Sequence, residues 1–161
     1  MNMKEDKKKP AAWPGQLMLI LLLPLLIPLL LCIGVAYLVA TILIYLAVWI
    51  VWNTRGIRLV YVYSNSPHWQ GYIEKEILPR LPDGQIVMNW SERQRWKYFS
   101  LASVVFHHFG GYRAFNPMAV VLRPFRRAKV FRFYEPFKDF KHGKQDALLK
   151  MEKEFFQALG A

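Results

Sequence analysis

The chain has one cysteine in 161 residues, Cys32, and it lies inside a long apolar run. Everything beyond that run is therefore without a disulfide, a thiol nucleophile or a cysteine metal ligand. The redox compartment stays unread, since a cysteine-free domain is tolerated on either side of a membrane. Also missing are HExxH spacing, a Gly-rich loop of the dinucleotide or P-loop kind, internal repeats and any recognisable catalytic motif. No cofactor is expected.

Charge is missing too, but only locally. Residues 16–52 carry no charged side chain. Four of the 22 Lys/Arg and two of the 11 Asp/Glu lie ahead of the run, leaving 18 and 9 after it. The chain thus divides into a basic polar tail (1–15), an apolar transmembrane segment (16–52) and a basic domain (53–161) large enough for one core. A bilayer core needs about 20 helical residues, and this run is nearly twice that. A signal peptide has a shorter apolar region ending in a small-residue cleavage site, which is absent here.

Two arrangements fit the run. In one, a main span covers about 29–52, with a lead-in bent around Pro24 and Pro28. In the other, two passes form a hairpin bending near Cys32-Ile33-Gly34, although polar turn residues are lacking. Both leave Trp13 and the Trp49/Trp52 pair near headgroups, where amphipathic rings are favoured. Lys4, Lys7, Lys8 and Lys9 before the run outnumber Arg55 and Arg58 after it, which favours the N-terminus inside and, with one span, the domain outside. A hairpin would instead keep both flanks in the cytoplasm. A polybasic domain beside an anionic leaflet inclines the reading to the cytoplasmic side.

Within the domain, 57–63 (IRLVYVY) reads as a strand, and Ser66 before Pro67 as a helix start. Trp69, Tyr72, Ile73 and Ile77 share one face of that helix, which should end before Pro79. A turn over Leu81-Pro82-Asp83-Gly84 leads to a strand at 85–90. Ser91 and Gln94 resemble a capping box opening a helix at Glu92. Its apolar part, 101–109, aligns Leu101, Val104, Val105 and His108, and Gly110-Gly111 stops it. Asn116-Pro117 precedes a strand at 118–123, and a basic turn at 124–128 joins it to a strand at 129–134. A loop over 135–143 and a helix over 144–159, with Leu148, Met151, Phe155 and Leu159 as its buried stripe, complete the chain.

The expected order is β-α-β-α-β-β-α: a parallel βαβ unit followed by an antiparallel hairpin. Over residues 57–160 this order resembles the thioredoxin fold, and Asn116-Pro117 stands where that fold places its proline. The resemblance implies a thioredoxin-like domain. The paired cysteines that would open the first helix are absent, with Ser64 and Ser66 nearby instead, so redox chemistry is not carried over. An open Rossmann-like sheet is the alternative.

Two groups of residues are candidate sites. Ligands bind outside the carboxyl ends of parallel strands in open α/β sheets. Those ends bring Ser64, Asn65, Ser66 and His68 towards Asn89, Ser91 and Glu92, where they could hold a phosphate or simply cap helices and turns. The second group is the segment from Arg123 to Lys144, with Arg126, Arg127, Lys129, Arg132, Lys138 and Lys141 interleaved with phenylalanines. It suits anionic lipid headgroups or a protein partner; nucleic acid is disfavoured because the bilayer supplies the nearer anion. His107-His108 point about 100° apart on a helix and make a poor metal pair. Asp139, Lys141 and His142 share a loop and carry no recognisable catalytic pattern. The expected function is a membrane-tethered, non-catalytic α/β module binding a protein partner or an anionic lipid surface. The alternative is a membrane-bound, transferase-like enzyme using the strand-end cluster.

Overall fold

The computed structural model of the protein describes residues 14–110 and 116–160. The expectations for the tail, for Trp13 and for Gly111 lie outside those residues. The chain falls into two units, Met1–Ala40 and Thr41–Ala161.

Helix α1 runs unbroken from Pro14 to Val51 with Pro24 and Pro28 inside it. The hairpin bend near Cys32 is therefore not seen. Without polar turn residues, nothing at Cys32-Ile33-Gly34 competes with the helical ladder. Each proline removes one backbone donor, a loss that long apolar helices tolerate. Residues 22–40 are exposed throughout. A helix apolar all round is either deeply buried or a membrane span, and this one is long and apolar enough to cross a membrane.

The second unit is built on a four-stranded mixed sheet: β1 (Leu59–Tyr63), β2 (Ile86–Asn89), β3 (Met118–Val121) and β4 (Lys129–Arg132). The spatial order is β2-β1-β3-β4. β2 lies parallel to β1, with Val60 opposite Ile86, while β3 runs antiparallel to both β1 and β4. β1 is central, and its residues Leu59, Val60, Tyr61 and Val62 are all buried. Alternation along it sends Leu59 and Tyr61 to one face and Val60 and Val62 to the other.

The first face is covered by three helical elements. The α2 turn (Gln70–Tyr72) continues as a wide π turn (Ile73–Ile77) and tightens to a 3-10 turn at Leu78–Arg80. Pro79 therefore sits inside that tightened turn and does not stop the helix. The others are α4 (Tyr134–Lys141) and α5 (Asp146–Gly160). Ile73, Ile77, Phe137, Leu148 and Phe155 fill the layer, each fully buried apolar side chain contributing roughly 1.5–3 kcal/mol. α4 occupies what the sequence suggests is a loop. Pro136 lies in its first turn, where the missing donor costs nothing, and Phe137 and Phe140 pack edge-on to Tyr72 at centroid separations of 5.5 and 5.4 Å.

The second face is covered by α3 (Leu101–Gly110) and by the C-terminal stretch of α1. The expected helix start at Glu92 is not seen. Residues 90–95 form a 3-10 segment capped by Asn89, whose side chain accepts from the Ser91 N–H. On α3 the buried residues are Ser103, Val105, Phe106 and Gly110. His107 is exposed and His108 half-buried. From α1, Ile44, Val48 and Trp52 join the same core. Gly56, in the left-handed region at φ 69°, turns the chain from α1 into β1.

The Tyr61 hydroxyl is buried without a hydrogen-bond partner among the described residues. An unsatisfied buried hydroxyl costs about 1–3 kcal/mol. Tyr61→Phe is accordingly expected to leave thermal stability unchanged or raise it by about 1 kcal/mol. A loss of that size would show that the hydroxyl has a partner in solution.

Candidate functional site

The strand-end residues do come together, and they bind one another. The Asn65 N–H donates to Ser91 Oγ at 3.0 Å, Asn89 Nδ2 donates to Asn65 Oδ1 at 2.5 Å, and the Ser91 N–H donates to Asn89 Oδ1 at 3.0 Å. Ser64 Oγ accepts from the Trp69 indole N–H at 3.2 Å. Ser66 Oγ receives only a long 3.5 Å approach from the His68 N–H, and the Ser66 carbonyl accepts from Gln70 N at 2.9 Å. His68 and Glu92 stand apart from this ring: the imidazole lies by Trp69, and Glu92 pairs with Arg95 at 3.5 Å on the surface. The parallel β1–β2 pair delivers Asn65 and Asn89 to the same edge. Their polar atoms are then spent on joining the two strand exits.

The basic segment is divided by the sheet. Lys129 lies with Phe131 beside Glu154 and Gln157 of α5, whereas Arg132 donates to the Gly110 carbonyl at 2.9 Å on the α3 side. Strand alternation imposes this split. Lys138 pairs with Glu135 at 3.9 Å on α4, and Lys141 and Lys144 are exposed nearby. Arg123 donates to the Ala158 carbonyl. Asp139 and His142 are tied through the backbone at the end of α4, with the His142 N–H donating to the Asp139 carbonyl at 2.9 Å.

Arg126 and Arg127 belong to a different setting. They line a cleft of about 480 Å³ whose floor is the exposed side of α1 (Ile42, Leu46, Trp49) and whose rim also holds Arg58 and Arg123. That volume falls within the roughly 300–1,000 Å³ usual for ligand sites. Four of its lining residues are arginines and none is acidic. Among the described residues, Arg58, Arg126 and Arg127 have no carboxylate partner. The loop is held in place by the Ala128 N–H, which donates to Tyr45 Oη at 2.7 Å. At its tip, Phe125 has φ 57°, is 94% exposed and lies 6.2 Å from the Trp49 ring. A non-glycine residue in the left-handed region costs about 1–3 kcal/mol and is common where function fixes the backbone. Sequence reasoning picks out Arg123, Arg126 and Arg127 but misses Arg58; its position directly after the apolar run is the signal that could have found it.

Two further polar groups are notable. Glu152 is buried in α5, accepting from Tyr72 Oη at 2.6 Å and from Arg80 Nη1 at 3.4 Å. His108 Nε2 lies 2.8 Å from Thr41 Oγ1, and burial pulls its imidazole below the usual histidine range. No group of three or more His, Cys, Asp or Glu side chains able to hold a metal occurs among the described residues. In comparisons with known proteins, no family model, no curated protein and no solved structure matches the chain.

Proposed function

We propose that the chain is a single-span, membrane-tethered binding module whose basic α/β domain works, without catalysis, against an anionic lipid surface. The observation that carries this reading is the arginine loop at 122–127. It has no acidic neighbour in its cleft, and it is built directly onto the residues that continue the apolar helix. Polybasic groups beside an anionic leaflet gain about 1 kcal/mol each. On a single span, a cytoplasmic domain places the N-terminus outside, against the four-to-two count of flanking Lys/Arg; the anionic leaflet is what favours that face.

A thioredoxin-like assignment accompanies this proposal. Its supports are the order β2-β1-β3-β4, with β3 alone running against its neighbours, and Pro117 directly before β3. The absence of cysteine from the domain argues for a binding role. The transferase alternative is less well supported, because Asn65, Asn89 and Ser91 bond one another, His68 and Glu92 stand apart from them, and none of these residues lines the cleft described above.

The test uses the full chain in nanodiscs of phosphatidylcholine alone or with phosphatidylglycerol. Backbone hydrogen exchange over residues 122–128 should slow when the anionic lipid is present. Arg126→Glu with Arg127→Glu should abolish that protection. Equal exchange in both lipids, or insensitivity to the double charge reversal, would refute the lipid-surface reading and leave a protein partner.

A further inference from the structure

We infer that the cleft between the 122–127 loop and the C-terminal stretch of α1 is a site for one anionic phospholipid molecule. An acyl chain would lie along Ile42, Leu46 and Trp49, with its phosphate among Arg58, Arg126 and Arg127. This rests on the lipid-surface reading and goes beyond it, since a diffuse charge effect needs no cleft.

Three observations point to that ligand. The first is chemistry: the floor is aliphatic and aromatic while the rim is cationic, so one occupant must be apolar at one end and anionic at the other. Arginine suits the anionic end because its planar fork matches phosphate oxygens bidentately. The second is location. Ile42, Leu46 and Trp49 continue the apolar run without interruption, so an occupant drawn from a bilayer would not need to cross water. The third is Phe125, a large aromatic held almost fully exposed in a costly backbone conformation. Packed folding does not require such a residue there. An aromatic lid over a lipid chain does, and its ring stands opposite Trp49.

Trp49 supplies the reporter. The full chain in phosphatidylcholine micelles would be titrated with phosphatidylglycerol carrying brominated acyl chains, and separately with equally brominated phosphatidylcholine. Subtracting the Trp49→Phe signal isolates the one ring. Brominated phosphatidylglycerol should quench Trp49 at a mole fraction roughly thirty- to a hundredfold lower than phosphatidylcholine, as two or three arginine contacts would give. Arg126→Ala with Arg127→Ala, and separately Arg58→Ala, should bring the two curves together while circular dichroism shows the fold intact.

Coincident curves in the wild-type chain would overturn the site. So would a preference that survives the arginine substitutions. If residues 122–128 remain protected on anionic nanodiscs while Trp49 shows no preference, the surface reading stands and the site falls. If inorganic phosphate alone at matching concentration changes Trp49 fluorescence while brominated and unbrominated phosphatidylglycerol give the same signal, the cleft holds a phosphate without a lipid chain, which would also overturn the site.

Discussion

A fragment that begins at residue 53 will fail to fold, and one that begins at Thr41 will fold. The sequence places the domain boundary at 52/53, where charge resumes. The packed core does not respect that boundary: Ile44, Val48 and Trp52 are 9%, 9% and 4% exposed and pack with Val60, Val62, Val105 and Phe106. Trp52→Ala alone should cost about 3–5 kcal/mol, as large-to-small core changes do. That is a large part of the roughly 5–15 kcal/mol that holds a domain of this kind together. Deleting all three side chains with the rest of α1 leaves α3 alone to cover the second face of the sheet. Urea unfolding in mild detergent, followed by circular dichroism, should give a cooperative transition for the 41–161 fragment and none for the 53–161 fragment. Equal midpoints for the two would show that α1 merely rests against the domain.

The reason this boundary was hidden is physical. A lipid-facing helix and a core-facing helix are both apolar, so periodicity cannot mark the point where one solvent replaces the other. Isoleucine at 44 and valine at 48 look the same as the residues before them. The strands were legible because β1 and β3 are short β-branched runs bounded by turn residues, which have few alternative readings. Helix α4 was not. Pro136 and Gly143 read as loop signals, while Phe137 and Phe140 show their purpose only once Tyr72 is brought beside them. The strand-end group was legible as a meeting of residues but not as a closed ring, since sequence does not tell whether Asn89 caps its neighbour or faces a ligand. The cleft was the least legible feature. It joins Arg58 to Arg126 across the antiparallel β1–β3 register, a neighbourhood that exists only after pairing is known.

The domain should also be alkali-sensitive, with a sign fixed by its tyrosines. Burial, then the charge of Glu152, holds the Tyr61 phenol well above its ordinary value of 10.0. Burial, then the hydrogen bond to Glu152, raises Tyr72; burial, then the charge of Glu74, raises Tyr63. In each case the folded state keeps a proton that the unfolded chain gives up near pH 10. The stability this provides is complete below that pH and is lost as pH rises above it. Each such phenol steepens the decline by up to about 1.4 kcal/mol per pH unit, less for Tyr63 and Tyr72, which solvent partly reaches. Stability should therefore be level through neutral pH and fall sharply above pH 10. Ultraviolet absorbance then reports phenolate formation. The Tyr61 signal should appear only together with loss of near-ultraviolet circular dichroism. Tyr61→Phe should remove that part of the absorbance rise and make the decline shallower, with Tyr63 and Tyr72 still contributing. If the wild-type chain shows a phenolate that Tyr61→Phe lacks near pH 10 while the circular dichroism is unchanged, the sheet does not bury Tyr61 in solution. The packing between β1, α2 and α5 would then have to be redrawn.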